Sequence, residues 1–171
     1  MNVELMKGIV AFAILVLAQA LVLNHIHLFN FATPMLYIYL VLLFRRGYPR
    51  WAVIALSFIM GLCVDIFSNT PGVAAGSMTF VGLLQPYLLE LFVPRDSPED
   101  LWPSMRTLGV GKFMAYSSIC VLVFIVLFYS LETFNFFNWL QWLEYIGGSF
   151  AITMIILLVI ENFRSKVRTT A

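Results

Sequence analysis

Charge is scarce in this chain. Only 11% of its 171 residues are Asp, Glu, Lys or Arg, against about 25% in an ordinary soluble domain. So few charges cannot cover a water-facing surface, which excludes most soluble-enzyme classes. Histidine is scarcer still, limited to His25 and His27. Two imidazoles without further ligands do not complete a zinc site. The apolar stretches hold no His for a serine triad and no His-Glu-x-x-His for a zinc protease. Cys63 and Cys120 each sit in an apolar run with no Cys or His at ligand spacing, as small buried side chains do. No Gly-rich phosphate loop and no aspartate cluster of the CDP-alcohol-transferase type is present. Asp65 has no second mid-membrane carboxylate to form a dyad. The chain is expected to be non-enzymatic, with no cofactor and no metal.

What is abundant is apolar sequence. Hydrophobic residues make up 61% of the chain and its mean hydropathy is +0.92. Six stretches are read as membrane spans, at approximately 5–23, 28–44, 51–67, 73–93, 108–129 and 143–161. All ten Lys and Arg residues then fall on one side. Lys7 precedes the first span, and Arg45, Arg46 and Arg50 separate spans two and three. Arg95, Arg106 and Lys112 lie around the fourth connection between spans, and Arg164, Lys166 and Arg168 form the tail. Basic residues are retained on the cytoplasmic side, so both termini are expected there. The expected fold class is an all-α integral membrane protein, one polytopic domain over 1–171. The formal net charge of +1 gives no reason to expect a nucleic-acid partner; the spread-out cations suit lipid headgroups better.

Some segments are less regular. Lys7 and the run to Leu23 resemble a signal peptide, but no small-x-small cleavage site follows, so the run is kept as the first span. In span two the clean apolar core, Pro34–Phe44, is 11 residues, about 16 Å of helix. A re-entrant segment is the alternative to a crossing. Gln85-Pro86 predicts a kink in span four. Ser97 and Pro98 predict a one-turn helix ended by Pro103. Glu132–Trp142, rich in Phe and Trp, predicts an interfacial belt or a short helix lying on the outer leaflet.

Asp65 is the polar residue of most interest. A charged side chain inside a span costs about 2.5–3.5 kcal/mol on insertion scales. Ser57, Gly61 and Asp65 are spaced four apart and share a helical face. Asp65 is either solvated at the helix end, hydrogen-bonded within a packing face, or a ligand or proton carrier. Gly72, Ala75 and Gly76 open span four with small residues, as Gly147, Gly148 and Ala151 open span six. Such spacing lets backbones approach closely, within the chain or against another transmembrane helix.

The run Gly61-Leu62-Cys63-Val64-Asp65-Ile66-Phe67-Ser68, followed by Thr70-Pro71-Gly72-Val73-Ala74-Ala75, resembles the signature of the rod-shape-determining MreD family. About fifteen residues carry the likeness; length and span count agree with it. Pro71 beside Gly72 and the aromatic loop 134–142 depart from the pattern. The resemblance implies a scaffold or regulator of cell shape and peptidoglycan elongation. Implied partners are the bitopic protein MreC, the MreB filament and the RodA–penicillin-binding-protein synthase. It implies a fold like the substrate-binding component of energy-coupling-factor vitamin transporters, which supplies an alternative function. A vitamin site would draw on Asn24, His25, Asp65, Asn69 and Glu144. The packing or partner candidates are Ser57, Gly61, Asp65, Ser68, Pro71, Gly72, Ala75, Gly76, Gly147 and Gly148.

Overall fold

A computed structural model describes residues 3–19, 33–94, 97–98, 101–133 and 139–167, with backbone alone for 3–7, 9, 11 and 165–167. All regular structure among these residues is helical. The elements are α1 (Val3–Leu17), a 3-10 turn (Leu36–Ile38) running into α2 (Tyr39–Leu42), α3 (Arg50–Ser68), α4 (Val73–Phe92), α5 (Val110–Thr133) and α6 (Trp139–Val167). Three of them, α3, α5 and residues Trp139–Arg164 of α6, are long and apolar enough to cross a membrane. This is a membrane protein by that measure, with lipid as the natural solvent for its exposed Ile66, Leu91, Leu140 and Phe163.

Helices α3 to α6 pack consecutively, each against the next. Side-chain pairs give the directions. Arg50 meets Tyr87, Gln85 meets Tyr116, and Tyr129 meets Ser149, so each neighbour runs antiparallel to the last. Arg45, Arg46, Arg50, Arg106, Lys112 and Arg164 therefore lie toward one end of the bundle. Asp65, Thr70 and Gly72 lie at the other.

The second apolar stretch is not one continuous spanning helix among the described residues. Its helix covers residues 36–42, about 10 Å at helical rise, and not the expected 28–44; residues 28–32 lie outside the described part. Every residue from Met35 to Leu42 is buried, with Ile38 and Val41 at 0% exposure. Protein surrounds this segment on all sides, through α1, α3, α4 and α6. That burial accounts for its shortness. Non-helical backbone at membrane depth is tolerated where protein supplies its hydrogen bonds, and here it does. Gln19 accepts from the N–H of Leu36 and donates to the carbonyl of Pro34. Ser149 and Thr153 of α6 accept from the N–H groups of Thr33 and Met35.

α4 keeps its expected extent, continuing as helix through Pro86 to Phe92. Other elements differ in detail. Trp139 and Trp142 belong to the first turn of α6, while 134–138 lie outside the described residues. The described part of 97–103 is not helical; Leu101 N–H donates to the carbonyl of Pro98 in a turn. Arg46 fastens this segment. Its backbone N–H donates to the Leu101 carbonyl at 2.9 Å, and its guanidinium to the Ser97 carbonyl at 2.9 Å.

Candidate functional site at the α3–α4 corner

Ser57, Gly61 and Asp65 recur every four residues and so form one stripe of α3. The structure turns that stripe toward α4. All three are buried, Asp65 at 6% exposure. Ser57 lies against Gly82: a Cβ added to Gly82 would sit 2.6 Å from the Ser57 Oγ. Gly61 lies against backbone: a Cβ there would meet Ala75 Cα at 2.5 Å and the Ala74 carbonyl oxygen at 2.6 Å. No real Cβ tolerates such distances, so the two helices touch because residue 61 has no side chain.

Asp65 closes the corner. Its Oδ1 accepts from the Thr70 hydroxyl at 3.0 Å and from Ala74 N–H at 2.9 Å. Its Oδ2 accepts from Gly72 N–H at 3.1 Å and Ala75 N–H at 2.9 Å. The first N–H groups of any helix lack partners within it. A capping side chain normally comes from the N-cap residue. In α4 the N-cap is Gly72, at φ 85°, and it has none. The carboxylate of the preceding helix supplies the cap, and the positive end of the α4 dipole favours its charge. The turn is built for this. Asn69 ends α3 at φ 56°, a left-handed conformation that Asn tolerates better than most residues.

With four donors on two oxygens, Asp65 is committed to holding the corner. Among the described residues no group of His, Cys, Asp and Glu is placed to hold a metal. A mostly apolar groove at the corner is lined by Phe58, Leu62, Asp65, Ile66, Asn69, Pro71, Gly72 and Ala75.

No family model, curated protein or solved structure matches this chain.

The other candidates differ in their surroundings. Ser68 is the last residue of α3, and Pro71 is exposed in the turn. Ala75 is buried at the α3 contact. Gly76 is not: a Cβ there would be 3.6 Å from a methyl of Leu131 on α5, an ordinary contact. Gly147 faces open space, and Gly148 is half-buried. Close approach thus belongs to Gly61 and Gly82, and Gly147 does not share it. Of the alternative ligand set, Asn24 and His25 lie outside the described residues. Asn69 and Glu144 are exposed.

Two polar clusters escape a sequence reading. Glu161, the last residue of the sixth stretch, is 1% exposed. It accepts from the Tyr39 hydroxyl at 2.6 Å and from Arg164 at 3.3 Å. Gln85 donates to the Phe44 carbonyl and to Tyr116, tying α4 to the end of α2. The signal available for these was a polar residue at matched depth in several apolar stretches, with nothing to say which pairs meet.

Proposed function

We propose that this chain is a non-enzymatic membrane scaffold of the bacterial cell-wall elongation machinery, similar in role to the MreD family. On this reading it crosses the inner membrane six times, with both termini in the cytoplasm, and binds other transmembrane proteins such as an MreC-like bitopic partner. The observation that supports it most is the α3–α4 corner. The residues that carry the resemblance, Gly61, Asp65, Gly72 and Ala75, are those that weld two helices into one rigid unit. A protein that works by presenting a fixed surface needs such rigidity, and has no need of a catalytic group. The gathering of the described cations at one end of the bundle is in keeping with the proposed sidedness.

The experiment is replacement of Gly61 by Leu in a cell that depends on this chain. The expected result is loss of MreC co-purification and of rod shape while the protein still reaches the membrane. Unchanged association and unchanged shape would overturn the role given to this corner. A cysteine added to the tail and labelled by an impermeant thiol reagent from outside the cell would overturn the topology.

A further inference from the structure

Arg50 is the first residue of α3, and its surroundings lack what a cation there needs. The N-cap, Pro49, has no side-chain cap bond, and the first turn contains no acid. A positive charge at this end opposes the helix dipole, and an anion would complement both. Yet among the described residues no carboxylate lies within ion-pairing distance of Arg50. Glu90, one turn beyond Tyr87 on α4, is exposed and does not pair with it. The guanidinium is held all the same. It lies over the Tyr87 ring, 5.0 Å from the centroid, and donates to the Tyr87 hydroxyl at 3.2 Å. A guanidinium has five N–H donors in a rigid plane, so most remain for a ligand, already oriented. Arg46 and Arg164, by contrast, are engaged by Ser97 and Glu161.

The flanks fit one kind of ligand. Trp51, beside Arg50, is 74% exposed, an amphipathic ring at the end of an apolar helix, as found at the headgroup level of bilayers. The contact of Ser57 with Gly82 sets the register of α3 on α4. It places exposed Leu83, Phe58 and Phe80 next along the pair, toward the membrane interior. A fixed, unpaired guanidinium at the interface, with an apolar surface running inward from it, matches a phosphodiester with acyl chains. We propose that Arg50, Tyr87 and Trp51 form a binding site for the headgroup of an anionic phospholipid, with its chains along α3 and α4. The inference rests on the proposed membrane topology and is independent of the scaffold role.

The test is native mass spectrometry of the full-length protein mixed with phosphatidylglycerol or phosphatidylcholine of the same chain length. The expected result is preferential retention of phosphatidylglycerol. Arg50→Gln should reduce that retention about three-fold or more, as for loss of one solvent-exposed ionic contact. Arg50→Lys keeps the charge without the planar fork and should fall between. Lys112→Gln, an exposed cation elsewhere on the same end, should retain the lipid as the parent does. Thermal unfolding of each variant establishes that it is folded. Equal retention of the two lipids, an unchanged Arg50→Gln variant, or equal losses for Arg50→Gln and Lys112→Gln would each overturn the site.

Discussion

Asp65 caps a helix whose own N-cap residue, Gly72, has no side chain to do so. The two are joined at 3.1 Å across the turn, and the same carboxylate reaches Ala74 and Ala75. Replacing Asp65 by Ala should therefore orphan three backbone N–H groups. Loss of a cap costs about 0.5–2 kcal/mol, and a buried unpaired donor about 1–3 kcal/mol. Asp65→Asn should be nearly as damaging, because its amide NH2 would face N–H donors. Thermal unfolding in detergent, followed with a dye that reacts with the buried Cys120, should show both variants melting earlier. An Asn variant as stable as the parent would contradict the capping geometry.

Gly61 faces α4 and Gly76 faces α5, and the two should respond differently to Ala. At 61 the new methyl meets backbone at 2.5 Å, so the helices must part; overpacking of this kind typically costs about 1–3 kcal/mol. At 76 it meets a movable Leu131 methyl at 3.6 Å, and stability should hold or rise slightly, since Ala favours helix over Gly. Comparable melting of the two variants would refute the close contact.

The Tyr39–Glu161–Arg164 cluster predicts a non-additive pair. Arg164→Ala leaves Glu161 buried without its cation, and breaking a buried pair in this way costs about 3–5 kcal/mol. Arg164 is 24% exposed, which places the loss toward or below the low end. Glu161→Gln removes the charge that needs the partner. The double variant should thus unfold at a higher temperature than Arg164→Ala alone, and simple additivity would count against the pairing.

Tyr37 offers the opposite expectation. Its hydroxyl is buried and has no hydrogen-bond partner among the described residues, while its ring packs edge-on against Phe124 at 5.3 Å. Tyr37→Phe keeps the ring and removes an unsatisfied donor, so stability should be equal or greater. A marked loss would reveal a partner for that hydroxyl.

Much of the bundle was legible from linear pattern. α3 and α4 begin and end within a residue or two of the expected spans, because Trp51, Asn69-Thr70-Pro71-Gly72 and Pro94 are strong local punctuation. α5 and α6 run longer than the expected spans, to Thr133 and over Trp139–Val167. The face shared by Ser57, Gly61 and Asp65 follows from four-residue spacing alone. What covers that face does not, since spacing carries no information about a second helix. The same gap hid the 33–42 segment. Apolar residues count alike whether lipid or protein surrounds them, and its partners, Gln19, Ser149 and Thr153, are scattered over the length of the chain. Glu161 was hidden for a further reason. It stands where the apolar run ends and Asn162 and Arg164 follow, a position that reads as solvated, and only the tertiary approach of Tyr39 places it indoors.

That wiring has a consequence for biosynthesis. The N–H groups of Thr33 and Met35 find their acceptors on Ser149 and Thr153, more than a hundred residues downstream. When the second apolar stretch leaves the ribosome, those acceptors have not yet been translated. The stretch cannot settle beside α1 with its backbone satisfied until the last helix arrives. The centre of the molecule is therefore among the first parts to be made and the last to be finished.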